Sequence, residues 1–274
     1  MGTEWTLDRT FDSPNGTVRW ARSGQGDPLV LVHGWPFSSY IWRDLARALS
    51  TRHTVYVWDL PGYGASERYE GQDVSLAGHQ QVFASLLDHW GLERPAVAAH
   101  DIGGAVALRT ALLSGRRFER LALVDAVAAG PWGSPFFQLA NRQAPAFAQV
   151  PAHLHEALVR AYIADGADRQ LREETLKALA RPWTGAHGQA AFYRQMAQAH
   201  QRHTAEYEDR LGELDLPVAV VWGERDRWLP LQRGRELAER LPRARLHVLE
   251  GSGHLVQEDA PAQLAAVLGD FLAR

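Results

Sequence analysis

The apolar positions change their period several times along the chain. Thr17-Val18-Arg19-Trp20-Ala21 alternates as a half-buried strand does. Leu29 to Val32 is a continuous apolar run that halts at His33-Gly34, which predicts a strand covered on both faces. Tyr40 to Leu49 has helical spacing, with Ile41, Leu45, Ala48 and Leu49 on one stripe. His53 to Leu60 reads as a second buried strand, closed by Pro61-Gly62-Tyr63-Gly64. The pattern then predicts a helix over Ser75 to Trp90 that ends at Gly91, a favoured C-cap residue. A strand over Pro95 to His100, a helix over Gly103 to Ser114 and a strand over Leu121 to Val127 follow. Residues 131–213 lose the strand signal and become helical, with Trp, Tyr, His and Pro interspersed. Beyond them come a strand over Pro217 to Trp222, a helix over Leu231 to Leu241, a strand over Arg245 to Leu249 and a helix over Pro261 to Ala273. Strands alternating with helices predict an α/β fold with a mostly parallel sheet covered on both faces. The helical stretch between two core strands is too long for a plain connection and is expected to fold as its own layer.

Composition narrows the possibilities. A chain of 274 residues with 46% hydrophobic and 22% charged residues has the make-up of a folded protein, able to build a core without metal or disulfide staples. The formal net charge is −3 and no basic stretch gathers on one segment, so nucleic acid is not an expected partner. Cysteine is absent, which removes disulfide scaffolds, thiol nucleophiles and cysteine zinc sites together. No apolar run reaches about 18 residues, so no membrane partner is expected. The first ten residues lack a signal-peptide stretch, which makes cytoplasmic the expected location. Met1-Gly2-Thr3-Glu4-Trp5-Thr6 formally fits an N-myristoylation pattern, one short enough to arise by accident.

The chemistry concentrates where buried strands end. Val97-Ala98-Ala99-His100-Asp101-Ile102-Gly103-Gly104 joins a strand to a helix through one polar residue flanked by small ones, the arrangement of a nucleophile elbow. The nucleophile position holds Asp101, and no G-x-S-x-G occurs in the chain. His33-Gly34-Trp35-Pro36 follows an earlier strand, where a backbone N–H can face the elbow. Gly223-Glu224-Arg225-Asp226 and Gly251-Ser252-Gly253-His254 follow the last two strands. The order is nucleophile, acid, histidine, each at the carboxyl edge of a parallel sheet, where ligands bind. Alone, Asp101 reads as a turn or cap aspartate and His254 as a loop histidine; together with Asp226 they make a candidate triad. Asp125, near the end of another core strand, is a rival acid. His100 reads as a buried, hydrogen-bonded histidine. His153 and His155 lack the H-E-x-x-H pattern, so no metal site is expected.

The motifs HGWP (33–36), DLPGYGAS (59–66), AHDIGG (99–104), GERD (223–226) and GSGH (251–254) resemble those of the α/β-hydrolase fold family, in its epoxide hydrolase and haloalkane dehalogenase group with an aspartate nucleophile. The resemblance covers residues 15–274. It implies a core domain over 1–130 and 214–274 and a helical cap domain over 131–213.

An aspartate suits attack on an sp³ carbon, which opens an epoxide or displaces a halide and leaves an alkyl ester on Asp101. His254, oriented by Asp226, would then activate water against the ester carbonyl. The backbone N–H groups of Trp35 and Ile102, beside His33, would hold the oxyanion. No cofactor is required; a small apolar organic substrate and water are the expected partners, with the chain a monomer or homodimer.

The leaving group divides the reading. The resemblance implies a cap tyrosine as proton donor, and Ala191-Phe192-Tyr193-Arg194-Gln195 places Tyr193 there. A second family tyrosine is replaced by Phe137, with Tyr162 a possible substitute or a packing residue. Dehalogenases of the group typically have Trp after the nucleophile, where this chain has Ile102. Trp35, Trp132 or Trp183 could offer an indole N–H to halide, or pack cap against core. Epoxide hydrolysis comes first, haloalkane or haloacetate dehalogenation second. A non-catalytic binding protein for a small ligand is the alternative of another class.

Overall fold

Eight strands form one sheet in the order β1-β2-β4-β3-β5-β6-β7-β8. They are β1 (Arg9–Ser13), β2 (Gly16–Ser23), β3 (Asp27–Val32), β4 (His53–Trp58), β5 (Ala96–His100), β6 (Leu121–Val124), β7 (Val218–Gly223) and β8 (Ala244–Leu249). The computed structural model describes residues 5–273, so most of the myristoylation pattern lies outside the described residues. β1 pairs antiparallel with β2, and β2 with β4; every later pairing is parallel. All residues of β5, β6 and β7 are buried, inward and outward alike, as the unbroken apolar runs require of strands covered on both faces. Helices Leu76–His89 and Ile102–Leu112 pack together, as do Arg43–Leu49 and Pro261–Leu272.

Most predicted elements are present, and the departures have local causes. β1 is an exposed edge strand whose Arg-Thr-Phe-Asp-Ser run lacks an apolar face, so its pattern gave no signal. The strand expected to reach Val127 stops at Val124, because Asp125 turns to a left-handed φ of 41°. The helix expected from Tyr40 opens as a 3-10 turn, Ser39–Trp42, before the α-helix Arg43–Leu49. Between β6 and β7 the chain forms a series of helices from Pro135 to Glu213, which pack largely on one another. Helix Gly185–Gln198 is central among them, touching Pro135–Arg142, Ala144–Phe147 and Ala152–Asp165. No described helix is long and apolar enough to cross a membrane.

Candidate active site

The turn between β5 and helix Ile102–Leu112 is tightly constrained. Asp101 adopts φ 52° and ψ −127°, a conformation that costs an L-residue on the order of 1–3 kcal/mol. Three backbone hydrogen bonds hold it there. Its N–H donates to the Val124 carbonyl at 3.2 Å, and its carbonyl accepts from the Gly104 and Val127 N–H groups, each at 2.9 Å. Small residues are obligatory around it. A Cβ on Gly103 would lie 2.6 Å from the His33 carbonyl oxygen, and one on Gly104 would lie 2.5 Å from Ala126 Cβ. A Cβ on Gly34 would meet Asp101 Cβ at 2.4 Å.

This crowding aims the Asp101 carboxylate. Its Oδ1 accepts the Trp35 backbone N–H at 2.7 Å. Its Oδ2 lies 3.4 Å from His254 Nε2. His254 Nδ1 is 2.8 Å from Asp226 Oδ2, while Asp226 Oδ1 accepts the N–H groups of Trp228 and Leu229 at 2.8 and 2.9 Å. Burial opposes charge on His254, yet the Asp226 and Asp101 carboxylates outweigh it and hold the imidazole well above its ordinary value. Burial would likewise raise Asp101, but the hydrogen bond and charge of His254 and the Ile102 N–H hold it below the usual carboxylate range. Asp125 accepts the Gly223 N–H at 2.7 Å through Oδ1 and has no direct bond to His254.

Asp101 lines a narrow cavity of about 20 Å³ with Trp35, Ile102, Val127, Trp132, Phe137, Tyr162 and Trp228 among its walls. That volume holds about one water, so the cavity as it stands is too small for an organic substrate. A far larger groove of about 580 Å³ opens beside Arg120, Arg243 and Phe271, but it meets β7 and β8 at their first residues, the sheet edge opposite the triad.

The structure separates the aromatic candidates. Tyr162 reaches the cavity; its hydroxyl lies beside Ser134 and the Trp35 indole. Burial pushes its phenol well above the ordinary value, the Ser134 contact opposing in part and the Asp101 charge adding to it. Tyr193 does not line the cavity: its hydroxyl is 3.0 Å from His155 Nδ1, and burial pushes it up to about 12. The expectation that Tyr193 faces the nucleophile is therefore corrected; its position in helix Gly185–Gln198 turns it toward Phe147 and His155. Trp183 donates its indole N–H to the Pro36 carbonyl and packs on Trp35 and Phe192, outside the cavity wall. Trp132 lines the cavity, but its N–H is given to Thr204 Oγ1 at 3.0 Å. Trp35 is the indole that remains: its Nε1 is buried without a hydrogen-bond partner.

His33, His100 and His155 have structural partners. His33 Nε2 accepts the Leu60 N–H at 3.0 Å and Nδ1 meets the Gly34 carbonyl, so His33 shapes the loop that presents Trp35. His100 donates from Nε2 to the His254 carbonyl at 3.0 Å, and burial lowers it to about 3. His155 bridges Tyr193 and the Trp183 carbonyl, and His153 is not in the cavity wall. Sequence reasoning missed Trp228, which stacks on Tyr162 with ring centres 4.3 Å apart and lies 4.9 Å from His254. Its place two residues after Asp226 was the available signal. Ser134 was missed too; it caps helix Pro135–Arg142, accepting the Phe137 N–H.

The α/β-hydrolase fold family matches residues 27–261. A dihydrolipoyllysine-residue acetyltransferase component of the acetoin cleaving system from Pseudomonas putida is 31% identical over 269 residues, covering 94% of this chain and 67% of that protein. Haloalkane dehalogenase 2 of Mycobacterium tuberculosis is 28% identical over 273 residues, covering 95% of this chain and 93% of that protein. The crystal structure of an α/β-hydrolase fold protein from Burkholderia ambifaria shares 44% identity, covers 97% of this chain and 98% of its own, and superposes with a TM-score of 0.94. The chain belongs to the α/β-hydrolase fold family, and a haloalkane dehalogenase is among its relatives.

Proposed function

We propose that the protein hydrolyses a small apolar substrate at an sp³ carbon through an alkyl ester on Asp101, with epoxide opening as the reaction. The observation that supports it most is the setting of the two Asp101 oxygens: Oδ1 accepts the Trp35 N–H, and Oδ2 faces His254 Nε2 at 3.4 Å. Asp101 Oδ2 attacks an epoxide carbon, the C–O bond of the ring breaks, and the alkoxide takes a proton from Tyr162. Tyr162 suits that step because an alkoxide is more basic than even a buried phenolate. Ser134 beside it offers a path for returning the proton.

Esterification removes the negative charge of Asp101. His254 then loses one of the two carboxylates that keep it protonated, and its proton affinity falls. The alkylation step thus converts His254 toward the neutral base that the second step needs. Water, deprotonated by His254, adds to the ester carbonyl carbon. The oxyanion forms on Oδ1, which already accepts the Trp35 N–H, and the Cγ–Oδ2 bond breaks as protonated His254 gives its proton to the leaving alkoxide and releases the diol. Residues 131–213 act as a cap over the core, and their helices part to make room for substrate in the narrow cavity.

A second reading, halide displacement, is favoured by the buried Trp35 indole N–H without a partner and by the dehalogenase relative. The ester and its hydrolysis are the same in both. Single turnover in oxygen-18 water tests the ester directly. The first product should carry unlabelled oxygen from Asp101, and the label should enter the Asp101 side chain. Label in the first product would mean that water attacks the substrate itself, and the proposal would fall.

A further inference from the structure

Asp125 is the buried carboxyl that the proposed chemistry leaves unused. It is fully buried at the end of β6, and its backbone is held at φ 41°, a left-handed conformation that a non-glycine residue adopts only under constraint. Its Oδ1 accepts the Gly223 N–H at 2.7 Å, but its Oδ2 has no hydrogen-bond donor among the described residues. A second carboxylate stands close to it. Oxygens of Asp125 and Asp226 and a ring nitrogen of His254 lie within 4.8 Å of one another, all three residues buried. Two ionised carboxylates so placed repel each other, and one proton between them removes both the repulsion and the orphaned oxygen.

We propose that Asp125 is a positioning residue that holds a proton and donates it to Asp226, and that it becomes the triad acid when Asp226 is neutralised. This deepens the triad reading given above and rests on it. Burial, and next the charge of Asp226, drive Asp125 well above the usual carboxylate range, with His254 and the Gly223 N–H opposing; both leading causes favour the neutral acid. As the neutral member, Asp125 holds the Asp226 carboxylate, whose Oδ1 already accepts the Trp228 and Leu229 N–H groups and whose Oδ2 faces His254 Nδ1. Gly223 joins the parts: its N–H holds Asp125, and a Cβ on it would sit 2.1 Å from the Gly253 carbonyl oxygen, next to His254. The acid pair and the histidine loop are therefore fixed to one point of β7.

Two readouts test this. The first is infrared and independent of any substrate: the protein should show the C=O stretch of one buried protonated carboxylic acid near neutral pH, absent from Asp125→Asn. Its absence from the parent protein would overturn the proposal, whatever reaction the protein catalyses. The second is ester hydrolysis in single turnover. Asp125→Asn keeps both a donor for Asp226 and an acceptor for Gly223, and should lose less than about tenfold, whereas Asp125→Ala loses more and shifts the pH profile. Asp226→Asn should lose about 10²-fold because Asp125 ionises in its place, and Asp125→Asn/Asp226→Asn about 10⁴-fold, the loss typical of a triad without its acid. Equal losses in Asp226→Asn and the double variant would refute the reserve role. Equal losses in Asp125→Asn and Asp125→Ala would refute proton donation.

Discussion

Replacing Gly34 by alanine tests whether the loop at Trp35 serves the Asp101 carboxylate. Gly34 has an ordinary backbone conformation, so the effect is one of space rather than of φ. The added Cβ would lie 2.4 Å from Asp101 Cβ and 2.5 Å from Oδ1, against a comfortable carbon separation of about 3.5–4.0 Å. His100 backbone stands behind at 2.7 Å, so neither side yields cheaply. Relief takes a displacement of about 1 Å. The Trp35 N–H, now 2.7 Å from Oδ1, would then lie beyond ordinary hydrogen-bonding distance. Loss of one oxyanion donor slows the step it serves by about 10²–10³-fold. Overpacking costs about 1–3 kcal/mol, which lowers Tm by roughly 2–10 °C in a protein of this size. The two half-reactions should separate: ester hydrolysis takes the full loss, while ester formation, which develops no oxyanion, loses little. Rapid-quench kinetics with intact-mass detection would show the adduct accumulating. Gly269→Ala is the control, since its Cβ meets nothing within 4 Å on a helix. Unchanged ester hydrolysis in Gly34→Ala would refute the role assigned to the Trp35 N–H.

Other expectations follow from the same geometry. Tyr162→Phe should slow epoxide opening by about 10²-fold or more with little effect on ester hydrolysis, while Tyr193→Phe should cost about 1 kcal/mol of stability through the lost His155 contact and spare the chemistry; the reverse ranking in stopped-flow traces would restore Tyr193 as donor. Because Asp101 is depressed and His254 raised, their pairing stabilises the fold between those two values, fading as pH falls through that of Asp101 and as it rises through that of His254. Ester formation should accordingly fall at acid pH and ester hydrolysis rise with pH; a rate of hydrolysis independent of pH would remove His254 as base. Phe137→Ala should widen the cavity and move the preference toward longer substrates, as read from kcat/KM along a chain-length series.

The parts legible in the sequence were those fixed by local pattern. Unbroken apolar runs marked β3, β4 and β7, and the polar residue among small neighbours marked the turn at Asp101. The small residues flanking Asp101 already implied a close approach at Gly103, whereas the need for glycine at 34 emerged only from its contact with the Asp101 side chain. The direction of side chains in the helices of residues 131–213 was not legible. Tyr162 and Tyr193 have similar helical surroundings, and which one reaches Asp101 depends on how helices Ala152–Asp165 and Gly185–Gln198 lean on Trp228 and Phe147. The partners of the indole N–H groups were hidden for the same reason: Thr204 and Pro36 lie 72 and 147 residues from Trp132 and Trp183. Asp125 was visible as a rival acid, but its closeness to Asp226 comes from β6 lying beside β7, a tertiary fact.

The central claim is a covalent ester on Asp101, and trapping it is the most direct measurement. A His254→Ala variant offered a terminal epoxide or a primary haloalkane should accumulate one adduct, seen by intact-protein mass spectrometry and mapped to Asp101 by peptide sequencing. An adduct with the mass of the whole epoxide is the predicted result, and an adduct lacking only the halogen would transfer the assignment to dehalogenation. Turnover of either substrate by the Asp101→Asn variant, or an adduct mapped to another residue, would contradict the account.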